Sequence, residues 1–392
     1  MEEILQKNKG ILLDLCKMGI SGRYRIPVRE ISIPLTNRCN NYCIMCHACS
    51  KEYENHTYHN EPPFDVTIDD YKDIVRVKKS LLEKICRSRR GGEGESNIDF
   101  LFGSAESLLN PDIYDICKYT KEVYPNSNIR IISNATIPPK KDIVRYINRI
   151  GFSVDGATKE TFEKLRPPAK FDHVIKTIKK WDESADRYNN DFSFGLSVVV
   201  SSENIHEIAD IVRLASEFRH IDSVFLQPII IHDSLKHLEY MLLDNLDEST
   251  VNKAILDIES ASLETGVEVD GLDSIRPTNG VKEPDRNINE NVNTSVYCRY
   301  GWNGILSLLK DGTHRYFCCY MSVDDNSRLE KQYRIPSGVP IGDMYNSKAY
   351  WKFRKDMLDG KLTDCCKGCM FANAGYKALK EEEVDIDKRC YF

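Results

Sequence analysis

Glu30-Ile31-Ser32-Ile33-Pro34-Leu35-Thr36 runs directly into Asn37-Arg38-Cys39-Asn40-Asn41-Tyr42-Cys43-Ile44-Met45-Cys46. The first segment reads as a strand, and the second as a loop at its carboxyl end. Three thiolates in one short loop can hold three irons of a 4Fe–4S cube. The fourth iron then has no protein ligand and is open to another molecule. Cys49 follows three residues on and is a candidate fourth ligand. The alternative reading is a zinc knot built from Cys39, Cys43, Cys46 and either Cys49 or His47.

Outward from this loop, strand-like and helix-like stretches alternate. Residues 1–29 read as a short helix and a lead-in that ends near Pro27. Thr67–Cys86 reads as a helix with Asp69 and Asp70 in its first turn. Asn97–Gly103 reads as a strand, and Pro111–Tyr124 as a helix capped by Asn110. Ile129–Ser133 is a strand, Pro139–Asn148 a helix and Gly151–Asp155 a strand. Thr158–Asp186 is helical with a break at Pro167-Pro168. Phe192–Val200, Glu203–Arg219 and Ser223–Gln227 read as strand, helix and strand. Six such alternations with short connections predict an α/β fold, a parallel sheet wrapped by helices and either open or barrel-like. Sites in such folds lie at the carboxyl ends of the strands, where the cysteine loop falls.

A helix from Leu246 to Thr265 closes this unit, and Asn279–Thr294 reads as an exposed linker rich in Asn, Glu, Asp and Pro. The expected organisation is an N-terminal extension (1–29), a core (30–235), a helical linker (236–296) and a cysteine-bearing domain (297–392).

The chain has 392 residues, 41% hydrophobic and 29% charged, with a net charge of −6. This composition predicts a globular protein and disfavours nucleic acid as a partner. No apolar span predicts a membrane helix, and Met1-Glu2-Glu3 does not open a secretory signal. A cytoplasmic location follows as the expectation. In a reducing compartment, 14 cysteines serve metals or catalysis rather than disulfides. Cys16, Cys86 and Cys117 stand apart and read as small buried hydrophobes. The basic run from Arg76 to Arg90 reads as a solvated helix end, and His47, His56 and His59 as surface loop residues.

The CxxxCxxC spacing after a strand, led in by Thr36-Asn37-Arg38, resembles the signature of the radical S-adenosylmethionine (SAM) superfamily. Met45 stands where that family prefers an aromatic residue. Gly103-Ser104-Ala105-Glu106-Ser107-Leu108-Leu109-Asn110-Pro111 resembles the family's GGEPLLNP loop, with Ser104, Ala105 and Ser107 replacing two glycines and a proline. Ser133-Asn134-Ala135 resembles its Thr-Asn-Gly, and Ser153-Val154-Asp155-Gly156 the end of its fourth strand. The resemblance covers about residues 30–230. It implies a partial (β/α)6 TIM-type barrel and a 4Fe–4S cluster on Cys39, Cys43 and Cys46. It also implies a SAM site drawing on Glu106, Ser104, Asn134, Ser153, Asp155 and Met45. The implied chemistry is reductive cleavage of SAM to a 5′-deoxyadenosyl radical, with electrons from a donor such as flavodoxin or ferredoxin.

Seven further cysteines lie between Cys298 and Cys390. Ile305–Leu309 and His314–Cys318 read as a hairpin around Asp311-Gly312. Two hairpin thiolates with the Cys366–Cys369 CxxC make a four-cysteine site, and spacing alone does not choose zinc over iron–sulfur. The arrangement resembles the twitch domain, the short form of the SPASM domain. That resemblance implies one auxiliary 4Fe–4S cluster on Cys298, Cys318, Cys366 and Cys369, with a small β-hairpin/helix domain around it; the doublets Cys318-Cys319 and Cys365-Cys366 offer Cys319 and Cys365 as alternative ligands.

The leading functional expectation is therefore a two-cluster enzyme that abstracts hydrogen from a small polar metabolite of amino sugar, aminocyclitol or nucleoside type. The auxiliary cluster would assist oxidation. A maturase acting on a precursor peptide is the second reading. It is disfavoured by the 38 residues ahead of Cys39, too few for a peptide-recognition unit. A non-catalytic zinc or iron–sulfur interaction protein is the third.

Overall fold

The computed structural model describes residues 2–23, 30–46, 48–50, 62–75, 98–103, 105–188, 191–231, 233–276, 307–308, 314–316, 335–336, 343 and 345–361. Two compact units emerge. One comprises Met1–Ile33, Thr67–Phe100 and Gly280–Phe392, the other Pro34–Val66 and Leu101–Asn279.

The strands are β1 (Glu30–Ser32), β2 (Asp99–Phe102), β3 (Asn128–Ser133), β4 (Arg149–Ser153), β5 (Ser193–Val200), β6 (Ile221–Pro228) and β7 (Glu268–Asp270). They form one seven-stranded sheet in the order β1-β2-β3-β4-β5-β6-β7. The registers from β3 to β7 are parallel, with Ile131 beside Ile150, Phe152 beside Leu196 and Leu196 beside Val224. A linear order with β1 and β7 at opposite edges is an open, partial barrel. Because each strand neighbours its successor, successive strand-end loops line up along one edge of the sheet. That alignment is what the site is built from.

One face of the sheet is apolar for a local reason. Residues at alternate positions share a face of a strand, and Phe194, Leu196, Val198 and Val200 on β5 are buried with Ile150 and Phe152 on β4. The helix Phe171–Tyr188 offers a matching stripe of Val174, Ile178, Trp181 and Ala185. Trp181 meets Phe152 at 6.0 Å and stacks on Phe192 at 6.1 Å between ring centroids. Such pairs add about 0.5–1.5 kcal/mol each beyond area burial.

Several boundaries differ from expectation. The helix expected over Pro139–Asn148 is a single 3-10 turn, Ile143–Arg145, and Lys141 just before it takes a left-handed φ of 51°. The helical region after Thr158 splits, as the two prolines require, into Lys159–Leu165 and Phe171–Tyr188. β7 is an unexpected seventh strand. It follows helix Glu248–Thr265 once Gly266 has closed that helix with a φ of 73°. Ser307–Leu308 and His314–Tyr316 pair antiparallel, as the hairpin reading expects, and Ile335–Pro336 adds a third strand. In the same unit the N-terminal helix Glu2–Ile20 packs against Lys348–Leu358. The Trp351 indole lies over Gly19, where an added Cβ would come within 2.1 Å of it. Among the described residues no helix is long and apolar enough to cross a membrane.

Gly156 seats the helix Lys159–Leu165 at the end of β4. A Cβ there would stand 2.6 Å from the Phe162 nitrogen and 3.0 Å from its Cα, both main-chain atoms that no rotamer can move. Gly156→Ala is expected to cost about 1–3 kcal/mol, read as a lower midpoint of chemical unfolding. An unchanged midpoint would mean that this helix is not packed so closely.

Candidate metal and cofactor site

Each residue of the lead-in Thr36-Asn37-Arg38 pins the cysteine loop. Thr36 donates its hydroxyl to the Phe64 carbonyl (3.0 Å) and accepts from the Arg38 nitrogen (3.1 Å). Asn37 forms a two-way bridge, donating to the Pro62 carbonyl (3.1 Å) and accepting from the Phe64 nitrogen (2.9 Å). Arg38 forks onto Asp65 and donates to the Leu109 carbonyl at 2.8 Å. Buried Asn110 accepts from the Asp112 nitrogen (2.8 Å) at the head of the helix Ile113–Val123 and donates to the carbonyls of Leu35 (2.7 Å) and Val66 (3.0 Å). The loop thus enters the site in a fixed direction.

Its middle is fixed from the other side. The Tyr42 nitrogen donates to the Pro167 carbonyl (2.6 Å) and the Ile44 nitrogen to the Leu165 carbonyl (3.1 Å). Cys43 therefore lies opposite Arg166, whose Nη1 stands 3.6 Å from the Cys43 sulfur. The same guanidinium donates through Nε to Asp155 Oδ2 at 2.6 Å. Asp155 is fully buried. Its other oxygen accepts from the Val199 nitrogen (2.8 Å), and its carbonyl accepts from Asn204 (2.9 Å). Asp155 was expected at the cofactor; both its oxygens are engaged inside the protein, and its side chain reaches the cysteine loop through Arg166.

Glu106 follows β2 and is also fully buried. It accepts from the Leu108 nitrogen (3.2 Å), the Ser133 hydroxyl (3.2 Å) and the Asn134 nitrogen (2.6 Å), while its own nitrogen donates to the Arg38 carbonyl (3.0 Å). Asn134, after β3, donates its amide to Asn40 (2.8 Å) and towards the Cys39 sulfur (3.8 Å). Ala105 and Ala135 take left-handed φ values of 49° and 59°. These are positions where the resembled motifs carry glycine, which adopts such angles without steric cost.

The remaining expected residues are more dispersed. Ser153 is half-buried at the end of β4 beside Ser197 of β5. Met45 packs on an apolar cluster of Leu165, Ile229, Leu235, Leu238 and Met241. Ser104, His47, Cys298, Cys318, Cys366 and Cys369 lie outside the described residues. Arg166, Asn204 and Asn40 went unread in the sequence. The signal for Arg166 was its place at the end of the short helix that Asp155-Gly156 introduces.

The thiols differ in their electrostatics. Hydrogen bonds from Cys49, itself buried, hold Cys39 below the ordinary thiol range and bring Cys46 down to about 6. Burial pushes Cys43 up to about 12, opposed by the Arg166 charge. Burial likewise lifts Glu106 to about 7 against the pull of its Asn134, Leu108 and Ser133 donors. Among the described residues, no three His, Cys, Asp or Glu side chains converge as ligands of a single ion do. A cube asks for a different arrangement, with three sulfurs each on its own iron. Asn41, buried between Cys39 and Cys43, has both side-chain amide atoms unpaired, and the hydroxyl of buried Ser107 is unpaired beside Glu106. Orphaned buried polar atoms cost about 1–3 kcal/mol each. A polar group seated against the loop would relieve them, so the donor set fits an iron–sulfur cluster with a polar ligand beside it.

Residues 33–215 match the Radical SAM superfamily. An AdoMet-dependent heme synthase of Methanosarcina barkeri is 24% identical over 48% of this chain and 47% of its own length. A GTP 3′,8-cyclase of Desulforamulus reducens is 28% identical over 53% of this chain and 58% of its own. The chain thus spans about half the length of these curated relatives. Among solved structures, Streptococcus suis SuiB bound to its precursor peptide SuiA shares the fold. Its TM-score is 0.55 at 15% identity, covering 96% of this chain and 78% of SuiB. The family match falls on the segment that carries all four motifs and β2 to β5.

Proposed function

We propose that this chain is a radical SAM enzyme that abstracts hydrogen from a small polar metabolite of amino sugar, aminocyclitol or nucleoside type. The observation that carries the reading is the linkage through Asn134, whose side-chain amide faces the Cys39 sulfur and whose main-chain nitrogen donates to the buried Glu106 carboxylate, at the ends of adjacent strands. Cys39, Cys43 and Cys46 would hold a 4Fe–4S cluster, and an external donor such as flavodoxin or ferredoxin would reduce it. Bound there, a reduced cluster would supply the electron for cleavage of SAM to methionine and a 5′-deoxyadenosyl radical. Glu106 is suited to the SAM ammonium, because it is a buried carboxylate with donors but, among the described residues, no cation of its own. Ser104, Asn134, Ser153 and Met45 are proposed to contribute to the SAM site, with Asp155 acting through Arg166. Residues 30–235 would be the core and 297–392 an auxiliary-cluster domain on Cys298, Cys318, Cys366 and Cys369, supported by the antiparallel hairpin. The GTP cyclase relative supports a nucleoside-type substrate. A peptide maturase is the second reading, favoured by the extent to which the SuiB fold covers this chain.

Cys43→Ala is expected to abolish 5′-deoxyadenosine formation under dithionite while leaving the circular dichroism unchanged. Full cleavage by that variant would refute the cluster assignment.

Glu106→Gln should weaken SAM binding by about 10- to 100-fold, the worth of a charge-assisted hydrogen bond. The pH dependence has a definite sign. The ammonium favours ionised Glu106, whose carboxyl titrates near 7. Below that pH a proton must leave on binding, so affinity should fall about tenfold per pH unit in the parent relative to the Gln variant. Equal pH profiles would remove Glu106 from the SAM site.

With both clusters loaded, iron should reach about eight per chain and fall by about half on joint replacement of Cys366 and Cys369 by Ser. Stoichiometric zinc in the parent protein would overturn the second cluster.

A further inference from the structure

We propose that Arg166, held in place by Asp155, is a positioning residue that sets the reduction potential of the cluster through the sulfur of Cys43. The proposal rests on the radical SAM reading of the cysteine loop and deepens it.

Three observations converge. The first is register. The Tyr42 and Ile44 nitrogens bond to the Pro167 and Leu165 carbonyls, so the chain on either side of Cys43 is paired with the chain on either side of Arg166. A shift of either segment would break both bonds, so the meeting of the two side chains is set by the backbone. The second is direction. Arg166 Nε is engaged by Asp155 at 2.6 Å, which turns Nη1 towards the Cys43 sulfur, 3.6 Å away. Asp155 is in turn fixed by the Val199 nitrogen and the Asn204 amide. The third is burial. The Arg166 side chain is 10% exposed and that of Asp155 is fully buried, so solvent screens this charge little. The pair also explains why a carboxylate in the Ser153–Gly156 motif faces inward: its task is to orient the guanidinium.

The physical consequence has one sign. Reduction adds one electron to the cluster from an external one-electron donor, and the added charge spreads over the thiolate sulfurs. Hydrogen bonds to those sulfurs and nearby positive charge stabilise the reduced form and raise the potential. An Asp155 carboxylate standing alone would act the other way, so the effect depends on the guanidinium lying between it and the sulfur. Of the three loop cysteines, Cys43 is in direct contact with this cation, whose charge also reaches Cys46, while Cys39 and Cys46 take hydrogen bonds from Cys49. Arg166 thereby acts on the iron that Cys43 binds.

The test is a redox titration, followed by electron paramagnetic resonance, of the anaerobically reconstituted full chain without SAM. The parent is compared with Arg166→Met, Arg166→Lys and Asp155→Asn. Iron content and circular dichroism report loading and fold. Arg166→Met should shift the reduction equilibrium about tenfold towards the oxidised cluster, about 59 mV for one electron. Arg166→Lys, which keeps the charge, should recover at least half of that shift. Asp155→Asn should differ measurably from the parent, since the guanidinium loses its ionic tether. A parent-like potential in Arg166→Met overturns the inference, as does an equal shift in the Met and Lys variants, which would mark a purely structural role. If Arg166→Met does not load iron, the other two decide, and parent-like potentials in both overturn it. A parent chain that holds no cluster at all would instead refute the reading on which this inference rests.

Discussion

A buried carboxylate with no cation beside it among the described residues organises this site. Glu106 sits at the end of β2 with no exposed surface, and takes hydrogen bonds from the turn behind it and from the end of β3. Those donors do not cancel the cost of burial, because its carboxyl still titrates near 7. Asp155 offers the contrast. It is buried as deeply, two strands along the same edge, but carries Arg166 as a permanent partner. Two buried carboxylates in different environments take different roles. The one paired internally builds structure, and the one short of positive charge is suited to bind it. The ammonium of an amino acid is the simplest group that answers Glu106.

The parallel sheet makes this possible. With strands in sequential order, the loops after β1, β2, β3, β4 and β5 reach the same edge. They bring the cysteines, Glu106, Asn134, Asp155 and Asn204. None of these residues is near another in sequence except within its own motif, so the site is a product of topology. The lead-in residues then do local work. Thr36, Asn37 and Arg38 each satisfy main-chain or carboxylate partners in 62–65 or 109, which holds the loop in place.

Much of this was legible in the sequence, for identifiable reasons. Thiol spacing, the order of the motifs and the break at Pro167-Pro168 are one-dimensional signals with direct steric or chemical meaning. The seventh strand was not legible. Glu268–Asp270 is three residues long and polar at both ends, and it exists because β6 offers it a pairing edge. The Pro139–Asn148 helix failed because the chain turns through a left-handed residue at Lys141, which composition does not announce. The partnership of Arg166 with Cys43 spans 123 positions and is created by two main-chain hydrogen bonds. The partners of Asp155 are hidden for the same reason: a motif places a carboxylate at a strand end without saying what its oxygens meet, here Arg166 and the Val199 nitrogen.

The central claim is that Cys39, Cys43 and Cys46 leave one iron of a cube open to SAM beside Glu106. Mössbauer spectroscopy of the chain reconstituted with ⁵⁷Fe, before and after SAM is added, tests it most directly. The account predicts that one iron in about four of the loop cluster changes its isomer shift on SAM addition while the others keep theirs. Spectra indifferent to SAM, or a loop that takes up zinc in place of iron, would contradict it.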